Sequence, residues 1–212
     1  MDNPLPYRSL LLLTATFSLL TTGCKKACDG DNLPQYTLTA GQRAWGAPFA
    51  ENAMWRFRNE ATGYERTYRV TKFRAESIGS GGAAKISVCP SYYQDYVFAD
   101  LERTDSTFTG SAKQIYHLQL TAPNAGNASG DFLQWGPAAT FDLPIDAAES
   151  GQQVLRPATF GNRSYPAVLE CTRNTAPQPT VPYPATSVRL FLTKAEGLVR
   201  FEERGGNVWN RL

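Results

Sequence analysis

Histidine is all but missing from this chain of 212 residues; His117 is the only one. Any Ser-His-Asp or Cys-His mechanism would have to use it. It lies in QIYHLQL, on the strand face opposite Tyr116 and Leu118, where a solvent-facing histidine is the simpler reading. Charge is also sparse. Asp, Glu, Lys and Arg make up 19% of residues and the net charge is +2, which gives no case for a nucleic-acid partner. Four cysteines show no zinc-site spacing, and the chain has neither a phosphate loop nor a dinucleotide fingerprint. Asp29-Gly30-Asp31-Asn32 opens like a calcium loop but lacks the later ligands and the closing Glu. No metal and no cofactor are therefore expected. Gly79-Ser80-Gly81 is not a nucleophile elbow. Long helical patterns are missing as well, so any helix should be short.

No apolar run reaches the roughly 20 residues of a membrane-spanning helix. The longest apolar or small-residue run, Ser9 to Gly23, has the size of a signal-peptide core. It ends at Leu20-Thr21-Thr22-Gly23-Cys24, followed by Lys25 and Lys26. This stretch resembles a bacterial lipobox, with Gly23 and Cys24 matching and Thr21 standing where Leu is usual. The resemblance implies that residues 1–23 are a lipoprotein signal peptide and that Cys24 carries lipid, including palmitate-type acyl chains. Each buried CH₂ contributes about 0.8 kcal/mol, so two or three chains anchor a protein without a spanning helix. Lys25 after the lipid cysteine implies sorting to the outer membrane, facing the periplasm or the cell surface. Residues 24–34 read as a polar tether and 35–212 as one domain.

What the domain does contain is aromatic residues at 12%, with 17 Gly and 14 Pro, a mixture that suits strands and turns. Met54–Asn59, MWRFRN, alternates apolar and basic, the period of a half-buried strand. Similar patterns occur at 64–74, 85–93, 96–101, 114–120, 132–135, 140–143, 165–171, 187–192, 197–203 and 208–212. Arg204-Gly205-Gly206-Asn207 supplies residues for a tight hairpin between the last two. The expected fold is all-β and mostly antiparallel, a single sandwich or an open half-barrel. The closing stretch LFLTKAEGLVRFEERGGNVWNRL, with Gly197–Glu202 at its centre and Trp209 and Leu212 after it, resembles the last strands of Bacteroidota lipoproteins of unknown function. That resemblance implies an antiparallel domain on a lipid anchor and no particular activity.

With Cys24 acylated, Cys28, Cys89 and Cys171 remain. Outside the cytoplasm a Cys89–Cys171 disulfide is the favoured pairing, since both lie in strand-like runs, although sequence alone does not fix connectivity. Arg56, Arg58, Arg66, Arg69, Lys72 and Arg74 gather within one predicted hairpin, interleaved with aromatic residues. Such a patch suits anionic glycans or lipid head groups; the alternative is a solvated strand face with cross-strand charge pairs. Asp105-Ser106-Thr107 resembles the Bacteroidota O-glycosylation pattern, with Ser106 as acceptor. The expectation is a lipid-anchored envelope protein with a non-catalytic binding or structural role. The alternatives are a lipid carrier with an apolar hollow, or a glycoside hydrolase drawing its carboxylates from Glu170, Glu202 and Glu203.

Overall fold

A computed structural model describes residues 32–80, 90–105, 116–124, 129–136, 139–173 and 186–212. The chain opens with β1 (Gln35–Tyr36), helix α1 (Ala40–Gly46), a short 3₁₀ turn (Ala47–Phe49) and β2 (Met54–Asn59). There follow β3 (Glu65–Ser80), β4 (Tyr92–Arg103), β5 (Tyr116–Thr121), β6 (Phe132–Trp135) and β7 (Thr140–Asp142). Helix α2 (Ile145–Glu149) leads to β8 (Arg156–Phe160), β9 (Arg163–Thr172), β10 (Ser187–Thr193), β11 (Gly197–Glu203) and β12 (Val208–Arg211).

The strands form one sheet in the order β7-β6-β5-β4-β3-β2-β12-β11-β10-β9-β8, with β1 parallel to β4 off this path. It consists of two antiparallel meanders joined where β12 pairs with β2, Trp209 opposite Asn59. The first meander walks outward from β2 to β7. Helix α2 then carries the chain to the opposite edge, and the second meander walks back. The result is an open, curled half-barrel, the second of the two arrangements expected.

The curl follows from the strand patterns. β5 alternates buried and intermediate through its first five residues, and β2 alternates exposed and buried through all six. A flat sheet would leave its apolar face wet; curling packs that face against itself. One cluster, from Trp55 and Phe57 of β2 through Phe141 of β7 to Leu169 and Leu190, fills the inside. Trp135 stands near its middle. Its ring lies 4.7 Å from Tyr116, 4.8 Å from Tyr68, 5.7 Å from Phe201, 6.1 Å from Phe57 and 6.2 Å from Trp55.

Both helices close one end of this core. Thr39 and Gln42 form a reciprocal capping box that starts α1. Trp45 of α1 is buried, and its indole Nε1 donates to Glu149 of α2 at 2.8 Å. Glu149 in turn pairs with Lys194 at 2.5 Å. On the outer side of the sheet, Phe160 and Tyr165 of the β8–β9 hairpin cover Phe191 and Val199 in a smaller second cluster.

Cys171, one half of the expected disulfide, is a free thiol among the described residues, 2% exposed. It belongs to the interior cluster, opposite Leu190, so its Sγ faces packed side chains. Cys89 lies outside the described residues, as do Cys24, Cys28 and Ser106. Of the expected strand at 85–93, the described part turns to strand only at Tyr92.

Candidate functional site

The basic cluster does not form one patch, because a bulge divides it. In β3, Tyr68 and Val70 point inward; both are fully buried. Simple alternation would send Lys72 and Arg74 inward too. The register shifts between Val70 and Lys72, so Val70 pairs with Leu101 while Lys72 pairs with Asp100 and Phe73 with the buried Ala99. One extra residue, Thr71, turns every later side chain to the other face. Phe73 then packs on the core, and Lys72, Arg74 and Glu76 face solvent.

Arg56, Arg58, Arg69, Lys72 and Arg74 are therefore exposed, and most have acidic neighbours. Arg56 and Arg58 share Glu65, at 2.6 and 2.7 Å. Hydrogen bonds from Arg56 and Arg58 hold the Glu65 carboxyl below its ordinary range. Arg69 lies 3.9 Å from Glu102 and Arg74 3.8 Å from Glu76, loose surface pairs of little energetic weight. Lys72 and Arg74 flank the Phe98 ring at 5.4 and 5.6 Å. Next to it stands His117, with ring centroids 6.2 Å from Phe98 and 5.7 Å from Phe132 and interplanar angles of 33° and 40°. His117 Nδ1 lies 2.6 Å from Asp100 Oδ1. The outer face of β3–β6 thus carries two cations beside a row of three tilted rings.

Arg66 goes elsewhere. It points to the interior side, where Arg66 Nη1 meets Glu203 Oε1 at 2.5 Å and its guanidinium lies 3.8 Å from the Trp209 ring centroid. Asn207 Nδ2 also donates to Glu203, at 3.2 Å. Beside this pair, Arg103 donates two hydrogen bonds to Asp105, at 2.9 and 2.7 Å. Tyr68 and Tyr116 pack edge to face at 4.8 Å, and burial pushes both hydroxyls above the ordinary tyrosine range. Arg66, Glu203, Arg103 and the two tyrosines, with Trp135, Gly136, Ser187 and Phe201, line a cavity of about 20 Å³, room for one water. Among the described residues, Arg66 Nε and Trp135 Nε1 have no hydrogen-bond partner there. The charges are balanced and the phenols stay neutral, so the cluster offers donors without a nucleophile.

The carboxylates suggested for hydrolysis are all engaged. Glu170 bonds to Arg189, Glu202 accepts from Arg189 and Arg200, and Glu203 holds Arg66. Sequence reasoning missed a different one. Asp131 is 5% exposed; Thr121 N–H donates to its Oδ1 at 2.7 Å, the Ser129 side chain also favours the ionised carboxyl, and Oδ2 has no hydrogen-bond partner among the described residues. Burial pushes its carboxyl up to about 6. Nothing in its flanking residues, Gly130 and Phe132, signals that burial. Among the described residues, no group of three or more His, Cys, Asp or Glu side chains could hold a metal ion. Nor, among them, is any helix long and apolar enough to cross a membrane.

Compared with known proteins, the chain matches no family model, no curated protein and no solved structure.

Proposed function

We propose that this chain is a lipid-anchored bacterial envelope protein, held at the outer membrane through acylated Cys24, with a non-catalytic binding or structural role. The observation that carries the reading is the apolar run of residues 9–23 ending at Gly23-Cys24, with the first strand of the β-domain at Gln35. A short tether then holds the half-barrel close to the membrane surface.

The site geometry favours binding over catalysis. The interior is occupied by Trp135 and the rings around it, which disfavours carriage of a lipid tail inside the half-barrel. Glu170, Glu202 and Glu203 are neutralised by arginines, which disfavours an acid–base pair built from them. The outer face keeps Lys72 and Arg74 beside Phe98, His117 and Phe132, a combination suited to a sugar bearing carboxylate, sulfate or phosphate.

Two experiments test the two halves of this reading. Metabolic labelling with palmitate should mark the native protein and leave Cys24→Ala unmarked; equal labelling of both would reject the anchor. Heparin or lipopolysaccharide binding should fall about tenfold in Lys72→Glu with the fold intact; unchanged binding would remove the outer face as the site.

A further inference from the structure

Among the described residues, the outer edge of β3 beyond its pairing with β2 is free, and it gives this protein a second surface. Residues 65–69 of β3 pair with β2. Beyond them, the last described backbone bonds on that side run from Asn52 N to Val70 O at 2.9 Å and from Val70 N to Ala53 O at 3.0 Å. Residues 71–80 continue for ten residues, paired with β4 on one side only among the described residues. At ~3.4 Å per residue this is an edge of about 30 Å. From Thr71 to Gly79, every residue but Phe73 is exposed. A strand this long, with half its backbone donors and acceptors unpaired among the described residues, is a template for another strand.

The side chains specify which strand. The sequence from 71 to 79 is TKFRAESIG. Laid antiparallel against a second copy of itself, with Ala75 opposite Ala75, it puts Arg74 of each copy opposite Glu76 of the other. Phe73 then faces Ser77, Lys72 faces Ile78, and Thr71 faces Gly79. Arg74 and Glu76 lie on the same outer face, so the cross-strand contacts form side by side. Small alanines meet on the axis without a clash. Within one copy Arg74 and Glu76 approach only to 3.8 Å and are 54% and 45% exposed, and Arg74 lies 5.6 Å from the Phe98 ring, loose contacts that leave both side chains room for a cross-strand partner.

We propose that two copies of this chain associate through the β3 edges, forming a continuous antiparallel sheet about a two-fold axis at Ala75. Such an interface is isologous, and the Arg74–Glu76 contact occurs twice. It uses the backbone edge and engages Arg74, and it leaves Phe98, His117 and Phe132 of the outer face uncovered.

The test uses the protein purified from membranes in detergent, with its association followed by sedimentation. The wild type should be dimeric. Arg74→Glu sets two carboxylates against each other at both contacts, and Glu76→Arg sets two guanidinium groups together; each should weaken the dimer about tenfold or more. Mixed in equal amounts, the two variants should dimerise again, since each chain then offers what the other lacks. In parallel, Ala75→Cys treated with oxidised glutathione as the two-electron oxidant should give a disulfide-linked dimer that the wild type does not form under the same treatment. A wild type still monomeric at about 100 µM, single variants that dimerise normally, or a mixture that stays monomeric would each overturn the proposal.

Discussion

Val70 and Lys72, two residues apart in one strand, lie on opposite faces of the sheet. The bulge at Thr71 separates a buried valine from an exposed lysine and decides which cations reach solvent. Deleting Thr71 removes the extra residue and sets Lys72 directly after Val70, so a regular ladder keeps the same pairs, with Val70 and Phe73 inward and Lys72 and Arg74 outward. The deletion should therefore keep the fold and change unfolding stability by less than about 2 kcal/mol in a denaturant titration; a loss above about 4 kcal/mol would contradict this assignment of the bulge. Thr71→Ser, which keeps the residue count, should change stability by less than about 1 kcal/mol.

The Arg66–Glu203 pair is buried, with side chains 14% and 1% exposed. Removing one partner strands the other charge. Glu203→Leu alone should cost about 3–5 kcal/mol, and the double change Arg66→Met, Glu203→Leu should recover most of it. A double-mutant cycle from urea unfolding measures both. Equal losses in the single and double variants would show that Trp209 stacking, not charge pairing, is the dominant contact.

Trp135 touches five other rings, so no single neighbour can close the space it occupies. Trp135→Ala should cost about 3–5 kcal/mol. Trp135→Phe should cost less, because Trp135 Nε1 makes no hydrogen bond that would be lost. Thermal unfolding of the two variants checks the order.

Asp131 sets a pH dependence of unusual sign. Burial raises its carboxyl from 3.8 to about 6, so the folded protein binds the proton more tightly than the unfolded chain. Its contribution to stability is fully present below pH 3.8 and is lost as pH rises through about 6. The loss is on the order of 3 kcal/mol, from about 1.4 kcal/mol per pH unit over that interval. Asp131→Asn should remove this slope and raise the unfolding midpoint at pH 8 more than at pH 4. Parallel curves for the two proteins would show that the carboxyl titrates normally.

Cys171 should be inert in the native state. Burial pushes its thiol up to about 12, so almost no thiolate exists at neutral pH. A thiol reagent should label it only once the domain unfolds in denaturant, read by mass spectrometry of the peptide 163–173.

Much of the sheet was legible because the pattern and the local geometry agree. MWRFRN and GLVRFEE became β2 and β11 with the bounds their alternation implies. The turn at residues 204–207 places Gly206 at φ 82°, which the Gly-Gly pair anticipates. β8 was not legible: Arg156-Pro157-Ala158-Thr159-Phe160 contains a proline and only one large apolar residue, tolerable only because it is an edge strand. Helix α1 announces itself through Thr39 and Gln42, yet its seven residues include a glycine near each end and show no full helical period.

The site was less legible because it depends on parity and on distant partners. Reading the cations of β3 by alternation groups Arg66 with Lys72 and Arg74; the bulge places them on opposite faces. Glu203 lies 137 positions from Arg66 in the chain, and only the β2–β12 junction brings their strands near each other. Asp131 is buried by the fold around it and by nothing in its own segment. The favoured Cys89–Cys171 bridge rested on strand character alone, which does not reveal the direction in which Cys171 points.

The most direct measurement is the intact mass of the mature protein isolated from membranes. It should correspond to a chain beginning at Cys24 and carrying a diacylglyceryl group and an N-linked acyl chain. A mass matching an unmodified chain, whether residues 1–23 are retained or removed, would contradict the lipid anchor and the envelope role built on it.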